Sequence, residues 1–375
     1  MKVNQLHIRK VNIRKLRMKL KSPFTTSLGT LTEREFLLVE VQEEDGGISG
    51  WGESVAFKFP SYTEETVQTT EYVLKEFLLP IVFKEPIGHP DELLTKFAVV
   101  KRHHMAKAAV EGAVWDLYAK KHQLPLAKAL GGERKSIHAG ISIGLQRSID
   151  DLLACVHKYS RAGYQRFKIK IQPGQDVDVL REVRRHFPDL KLMADANAAY
   201  TLDDVHRLKR LDDLDLMMIE QPLPDDHLVD HARLQRHIQT PICLDESIHS
   251  LEDVRTAVEL GSCQIVNIKP GRVGGLSAAR KIHDYCLSKN IPVWCGGMLE
   301  SGVGRAQNIA LAALQGFTLP GDIASSSRYW EQDIVEPEVN VDNGTISVPT
   351  KPGIGYTVNK DVIEMYTESM ESFCQ

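Results

Sequence analysis

No CxxC pair occurs among the six cysteines of this 375-residue chain, so neither a zinc ribbon nor a dithiol redox motif is indicated. Cys155, Cys243, Cys263, Cys286, Cys295 and Cys374 mostly lie in apolar surroundings, the setting of reduced thiols in a cytoplasmic protein. No apolar run is long enough to span a membrane. The start, "MKVNQLHIRKVNIRKLRMKL", alternates apolar and polar residues and lacks the apolar core of an export signal. Excess positive charge is also missing: the formal net charge is −4 with 26% charged residues, which argues against a nucleic-acid partner. Low-complexity linkers are absent too.

What is there falls into two characters. Residues 1 to about 60 read as antiparallel strands, with "LHIRKVNIRKLRM" and "FLLVEVQ" followed by an "EDGG" turn and "ISGWGESVAF". A helix is predicted over 104–123, rich in alanine and valine and suited to close packing. From Ser136 onward short β-branched runs alternate with amphipathic helical stretches. The strands are "IHAGISIG", "RFKIKI", "KLMADAN", "LMMIEQP", "PICLDES", "QIVNIKP" and "IPVWCGG", with a weaker eighth near "FTLPGDI". Such alternation predicts an α/β chain with a parallel (β/α)₈-type barrel, an open doubly wound sheet being the alternative. The residues "GTISVPTKPGIGYTV" near the end read as strands returning to the first domain.

Five charged residues keep the rhythm of the barrel. Lys170, Asp195, Glu220, Asp245 and Lys269 each end an apolar run and stand 25, 25, 25 and 24 residues apart. That is one βα unit per step, which predicts nearly equal heights at the C-terminal rim where barrel active sites are built. Single charges at strand ends also serve as ion pairs; five in this order call for more. Three converging carboxylates would repel without a cation. An all-oxygen set suits a hard divalent ion, Mg²⁺ before Mn²⁺, rather than Zn²⁺. Such an ion between two opposed lysines suits removal of a proton α to a carboxylate, because the dianionic enolate needs strong stabilisation.

"KIK", "MADAN", "IEQP", "CLDES", "NIKPGRVGG" and "GGMLESGVG" resemble the enolase superfamily, specifically its muconate-lactonizing-enzyme-like branch, in which two lysines on strands 2 and 6 flank the metal. The segments "SPFTTSLGTL", "WGESVAF" and "AAVEGAVWDLYAK" are similar to the group of o-succinylbenzoate synthases and N-succinylamino acid racemases. The resemblance implies a (β/α)7β barrel (128–323) under an α+β capping domain (1–127) joined by the C-terminal segment (324–375). It implies Asp195, Glu220 and Asp245 as ligands of Mg²⁺, with Mn²⁺ a substitute. Lys170 becomes general base and then acid, and Lys269 stabilises the enolate or acts as a second base. Lys168 supports the substrate carboxylate, its charge favouring the basic form of Lys170. Asn197, Arg272, Ser142 and Ser301 are implied substrate contacts, with Glu246 behind the ligands because it neighbours Asp245 on the other strand face. Segments 21–30 and 55–62 would close over the mouth.

The implied reaction is dehydration of a cyclohexadiene carboxylate to o-succinylbenzoate, with racemisation of N-succinylamino acids as a second activity. The implied substrate is a small carboxylate, and the implied assembly is a homo-oligomer. Dipeptide epimerisation is disfavoured, because "GDIASSS" has Asp322 but Ala324 where an Asp-x-Asp is needed. A barrel that binds a carboxylate or metal without turnover is the non-enzyme alternative. His227 and His231 have the spacing of a metal pair but lie outside the strand-end set and read as a solvated helix face. The glycines of "GRVGG" and "GGMLESGVG" fit close packing better than a phosphate cradle.

Overall fold

The computed structural model describes residues 5–26, 29–43 and 47–375. The expected "EDGG" turn therefore lies outside the described residues except for Gly47, as do Ser27 and Leu28 of the 21–30 segment. Strands β1 (Ile8–Thr26), β2 (Gly29–Glu43) and β3 (Ser49–Ser54) form an antiparallel sheet in sequence order. Segment 21–30, expected as a loop, extends this ladder: Phe24 pairs with Leu31 and Thr26 with Gly29.

Both faces of β2 are buried, and its period of two sorts them. Leu37, Val39 and Val41 join Val11 and Ile13 in a core under the cap helices. Phe36 and Leu38 join Leu16 and Met18 in the core shared with the barrel. Helix α1 (His104–Lys121) crosses β3, and 13 of its 18 residues are buried, as a helix apolar all round requires. The crossing is so close that a Cβ on Gly50 would stand 2.1 Å from the Ala113 carbonyl oxygen, and one on Gly52 2.0 Å from that of Ala109. "SGWGES" and the small residues of α1 are two halves of one contact.

The barrel strands are β4 (Gly140–Ile143), β5 (Arg166–Lys170), β6 (Leu192–Asp195), β7 (Ile219–Glu220), β8 (Ile242–Leu244), β9 (Ile265–Ile268) and β10 (Val293–Cys295). They pair in sequence order and all in parallel. The weak eighth stave contributes single parallel bridges, Phe317 to Val293 on one edge and Gly321 to Ala139 on the other, which link the two edges of the sheet. The expected return of "GTISVPTKPGIGYTV" to the cap is met only in its later part: Thr345–Ser347 pairs with Ser136–His138 of the barrel, whereas Gly353 bonds the backbone of Leu124 and Leu126 and the Ile354 amide donates to Asp116 at 2.7 Å. Thr367–Cys374 completes the return, running antiparallel to β1 with Phe373 opposite Val11. Among the described residues no helix is long and apolar enough to cross a membrane.

Candidate active site

Strand alternation turns Arg166, Lys168 and Lys170 to one face of β5 and Phe167 and Ile169 to the other. All five are buried, so the lysines do not face bulk water. In register Lys170 lies beside Asp195 and Asp195 beside Glu220, level as the spacing predicts. Glu220, however, pairs with Cys243, and Cys243 with Ile265. Asp245 and then Lys269 therefore each stand two residues further along. Tilted barrel strands accumulate such steps, and a step of two keeps each side chain on the same face.

Each acid is turned onto a cation. Lys170 donates to Asp195 at 2.7 Å and to Asn197 at 2.5 Å. Lys168 reaches Asp322 at 2.6 Å, Glu220 at 3.0 Å and Asp195 at 3.1 Å. Lys269 donates to Asp245 at 2.8 Å, and Arg272 also pairs with Asp245. Burial alone would lower the pKa values of Lys168 and Lys269, but the surrounding oxygens reverse this and hold both above the ordinary value. Asp195, in turn, is held below the carboxylate range by Lys170 and Lys168 despite its burial.

No three acidic, histidine or cysteine side chains stand in a ligating arrangement among the described residues; the acids are instead paired with lysines. The donor set nonetheless fits a hard divalent cation. Its donors are oxygens, and Glu220 is held above the usual range by burial and then by its neighbour Asp195. Glu246 Oε2 and Asn267 Oδ1 are buried with no hydrogen-bond partner among the described residues. These are the surroundings in which added positive charge is favourable.

Above the charges lies a cavity of about 290 Å³, lined by Ser142, Lys168, Lys170, Asp195, Asn197, Lys269 and Asp322 from the barrel. The cap adds Phe24, Thr30 and Leu31 from the β1–β2 hairpin, and Phe57, Phe59 and Tyr62 from the segment after β3. Glu220 and Asp245 do not reach the cavity wall; each is covered by a lysine.

Three expected roles change. Arg272 is fully buried and outside the cavity: it donates to the carbonyls of Ile248 and Asn267, both at 2.6 Å, and locks Asp245 rather than meeting a substrate. Ser301 is likewise no cavity residue. It caps α2 (Gly302–Ala312) and donates to Glu53 of the cap at 2.5 Å. Glu246 does not point away, because β8 ends at Leu244 and alternation lapses there; its Oε1 accepts from Asn197 at 2.8 Å. Of the histidine pair, His227 is exposed as expected, whereas His231 is buried and accepts from the Leu223 amide. Gly271 and Gly302 would press a Cβ onto Val55 and Val335, consistent with glycines that serve close packing.

A family model described as "Mandelate racemase / muconate lactonizing enzyme, N-terminal domain" matches residues 8–131, and one described as "Enolase C-terminal domain-like" matches 151–362. The chain belongs to the enolase superfamily. Enzymes of this superfamily generally use a divalent metal ion. This superfamily member is 59% identical over 368 residues to an o-succinylbenzoate synthase of Geobacillus kaustophilus, covering 98% of both chains. It is 45% identical over 362 residues to an N-succinylamino acid racemase of Thermus thermophilus, covering 96% of this chain and 98% of that one. A crystal structure of an enolase-superfamily protein from Listeria innocua superposes with a TM-score of 0.96 at 46% identity, over 99% of this chain and 100% of the other.

For an enolase-superfamily chain, sequence reasoning missed Tyr62, Arg166, Asn267 and Asp322 at the site. Asp322 had a legible signal, as the polar residue ending the eighth stave. Arg166 shares the face of Lys168 and Lys170. Tyr62 ends the 55–62 segment expected over the mouth, but nothing local singles it out: it arrives from the cap, 183 residues from the Asp245 it touches.

Proposed function

We propose that this chain is an o-succinylbenzoate synthase, converting 2-succinyl-6-hydroxy-2,4-cyclohexadiene-1-carboxylate to o-succinylbenzoate and water in menaquinone synthesis. The observation that carries the reading is that Lys170 and Lys269 share the wall of one cavity, on β5 and just beyond β9, with acids of the three intervening strands beneath them. Asp195, Glu220 and Asp245 would hold Mg²⁺, which supplies Lewis-acid stabilisation of negative charge building on the substrate carboxylate.

Lys170 takes the proton α to that carboxylate and returns it to the departing hydroxyl on the same face, a syn elimination. Lys269 stabilises the enolate from the opposite wall, and Lys168 balances the carboxylate charge. Ser142 and Asn197 orient the substrate. Phe24, Phe57 and Phe59 offer its ring an apolar surface and limit water, which strengthens every charge interaction within. Residues 1–127 act as the cap, 128–323 as the catalytic barrel and 324–375 as the returning segment. A cytoplasmic location and a homo-oligomer complete the reading, checked by fractionation and light scattering.

A second activity, racemisation of N-succinylamino acids, is favoured by both lysines standing on one cavity: each can act as base toward one enantiomer. The test compares kcat/KM for the cyclohexadiene substrate and for N-succinylamino acids, with α-proton exchange followed in D₂O. Chelation should abolish turnover and added Mg²⁺ restore it. Bound substrate with neither turnover nor exchange would leave only the non-catalytic barrel.

A further inference from the structure

Lys168 has more carboxylates than one ammonium needs. It stands at 2.6 Å from Asp322, 3.0 Å from Glu220 and 3.1 Å from Asp195, and 5.0 Å from the centre of the Trp294 ring. Glu220 and Asp195 are proposed metal ligands; Asp322 is not. Asp322 belongs to the eighth stave, and its amide donates to the Cys295 carbonyl at 2.9 Å. Its carboxylate is also fixed by Arg166, which is fully buried, donates to the Pro320 carbonyl at 2.8 Å and stacks on Trp294 with 4.5 Å to the ring centre.

An ammonium and a divalent cation cannot share the oxygens of Asp195 and Glu220 without strong repulsion in so dry a site. Lys168 must then withdraw, and a buried ammonium must keep a partner. We propose that Asp322, held by Arg166, is a berth for Lys168: a positioning residue that draws the ammonium off Asp195 and Glu220 and so frees them for the metal ion. The inference rests on the proposed metal site but goes beyond it. It gives the eighth stave a role in loading the site and explains a buried arginine that touches no ligand.

The test is Mn²⁺ binding to the full-length chain stripped of metal and without substrate, by calorimetry or electron paramagnetic resonance. Four proteins are compared: wild type, Asp322→Asn, Lys168→Met and the double variant, each checked by circular dichroism. Asp322→Asn should weaken Mn²⁺ binding by about tenfold or more, because Lys168 then competes for the ligands. In the Lys168→Met background the same change should matter by less than about twofold. An equal loss in both backgrounds would mean a long-range charge effect and overturn the proposal, as would no loss in either. Wild type that binds no Mn²⁺ would bring down the metal reading itself, and this inference with it.

Discussion

The hydroxyl of Tyr62 accepts a 2.8 Å hydrogen bond from Lys269 and donates to Asp245 at 3.1 Å, while its ring lies 4.6 Å from the same ammonium. A cap residue thus steadies a barrel lysine across 207 positions of sequence. Tyr62→Phe keeps the ring and removes both bonds, together with the 3.2 Å bond the hydroxyl accepts from Arg272. Bonds to charged groups contribute about 1.5–3 kcal/mol, so kcat/KM for racemisation, which needs Lys269 as a base, should fall about tenfold or more. Dehydration should fall less; steady-state kinetics on both substrates decides.

Lys170→Ala should lower dehydration by about 10²–10⁴-fold or more, the usual contribution of a positioned base, and stop α-proton exchange in D₂O. Lys269→Arg should keep measurable dehydration while losing racemisation, because guanidinium retains the charge but not the basicity. Normal dehydration by Lys170→Ala would show the base to be wrongly assigned.

Glu111 of α1 ties the cap to the barrel: its oxygens accept from the amides of Leu276 and Ser277, both at 2.8 Å, and from the Trp115 indole at 2.9 Å. Burial pushes its carboxyl up to about 7 from 4.5. A folded-state pKa raised above the unfolded one means the folded protein binds the proton more tightly. Its contribution to stability is therefore full below about pH 4.5, declines as pH rises to about 7 and is level above. In urea titrations from pH 5 to 7, Glu111→Gln should remove a slope of at most about 1.4 kcal/mol per pH unit. An unchanged slope would show that Glu111 titrates normally.

Gly52→Ala places a methyl group 2.0 Å from the Ala109 carbonyl oxygen, where backbone meets backbone and neither can yield. Overpacking of this kind costs about 1–3 kcal/mol, and the rigid neighbour puts this case at about 3 or more. Urea unfolding of the variant, or its failure to accumulate as folded protein, checks it.

Ser301→Ala should lower stability by about 1–2 kcal/mol, since a helix cap and a bond to buried Glu53 are lost together. KM for the cyclohexadiene substrate should stay within about twofold. A large rise in KM would return Ser301 to the substrate contacts.

Much of the barrel was legible because its physics is local. "RFKIKI" alternates because a pleated strand has two faces, and α1 was readable from small and apolar residues on all sides. The 25-residue rhythm found Lys170, Asp195, Glu220, Asp245 and Lys269 because each repeats one strand–helix unit. The rhythm gave the height of Lys170, Asp195 and Glu220 but not that of Asp245 and Lys269, since register steps come from the tilt of strands in a closed barrel. Alternation failed at Glu246, two residues past the end of β8. Arg272 and Ser301 read as substrate contacts in sequence because charge and hydroxyl look alike there whether they face a cavity or a core.

The sequence by itself determined the fold class, the five strand-end charges and the chemistry they can share, because periodicity and residue type carry that information within one repeat. Only the tertiary structure decided which groups those charges meet. Tyr62 reaches Lys269 from the cap, Asp322 reaches Lys168 from the last stave, and Arg272 turns inward to Asp245. Such partners are chosen by how strands close and domains dock, and burial then makes each pairing obligatory, since a charge taken out of water must find its counterpart among whatever the fold has brought near.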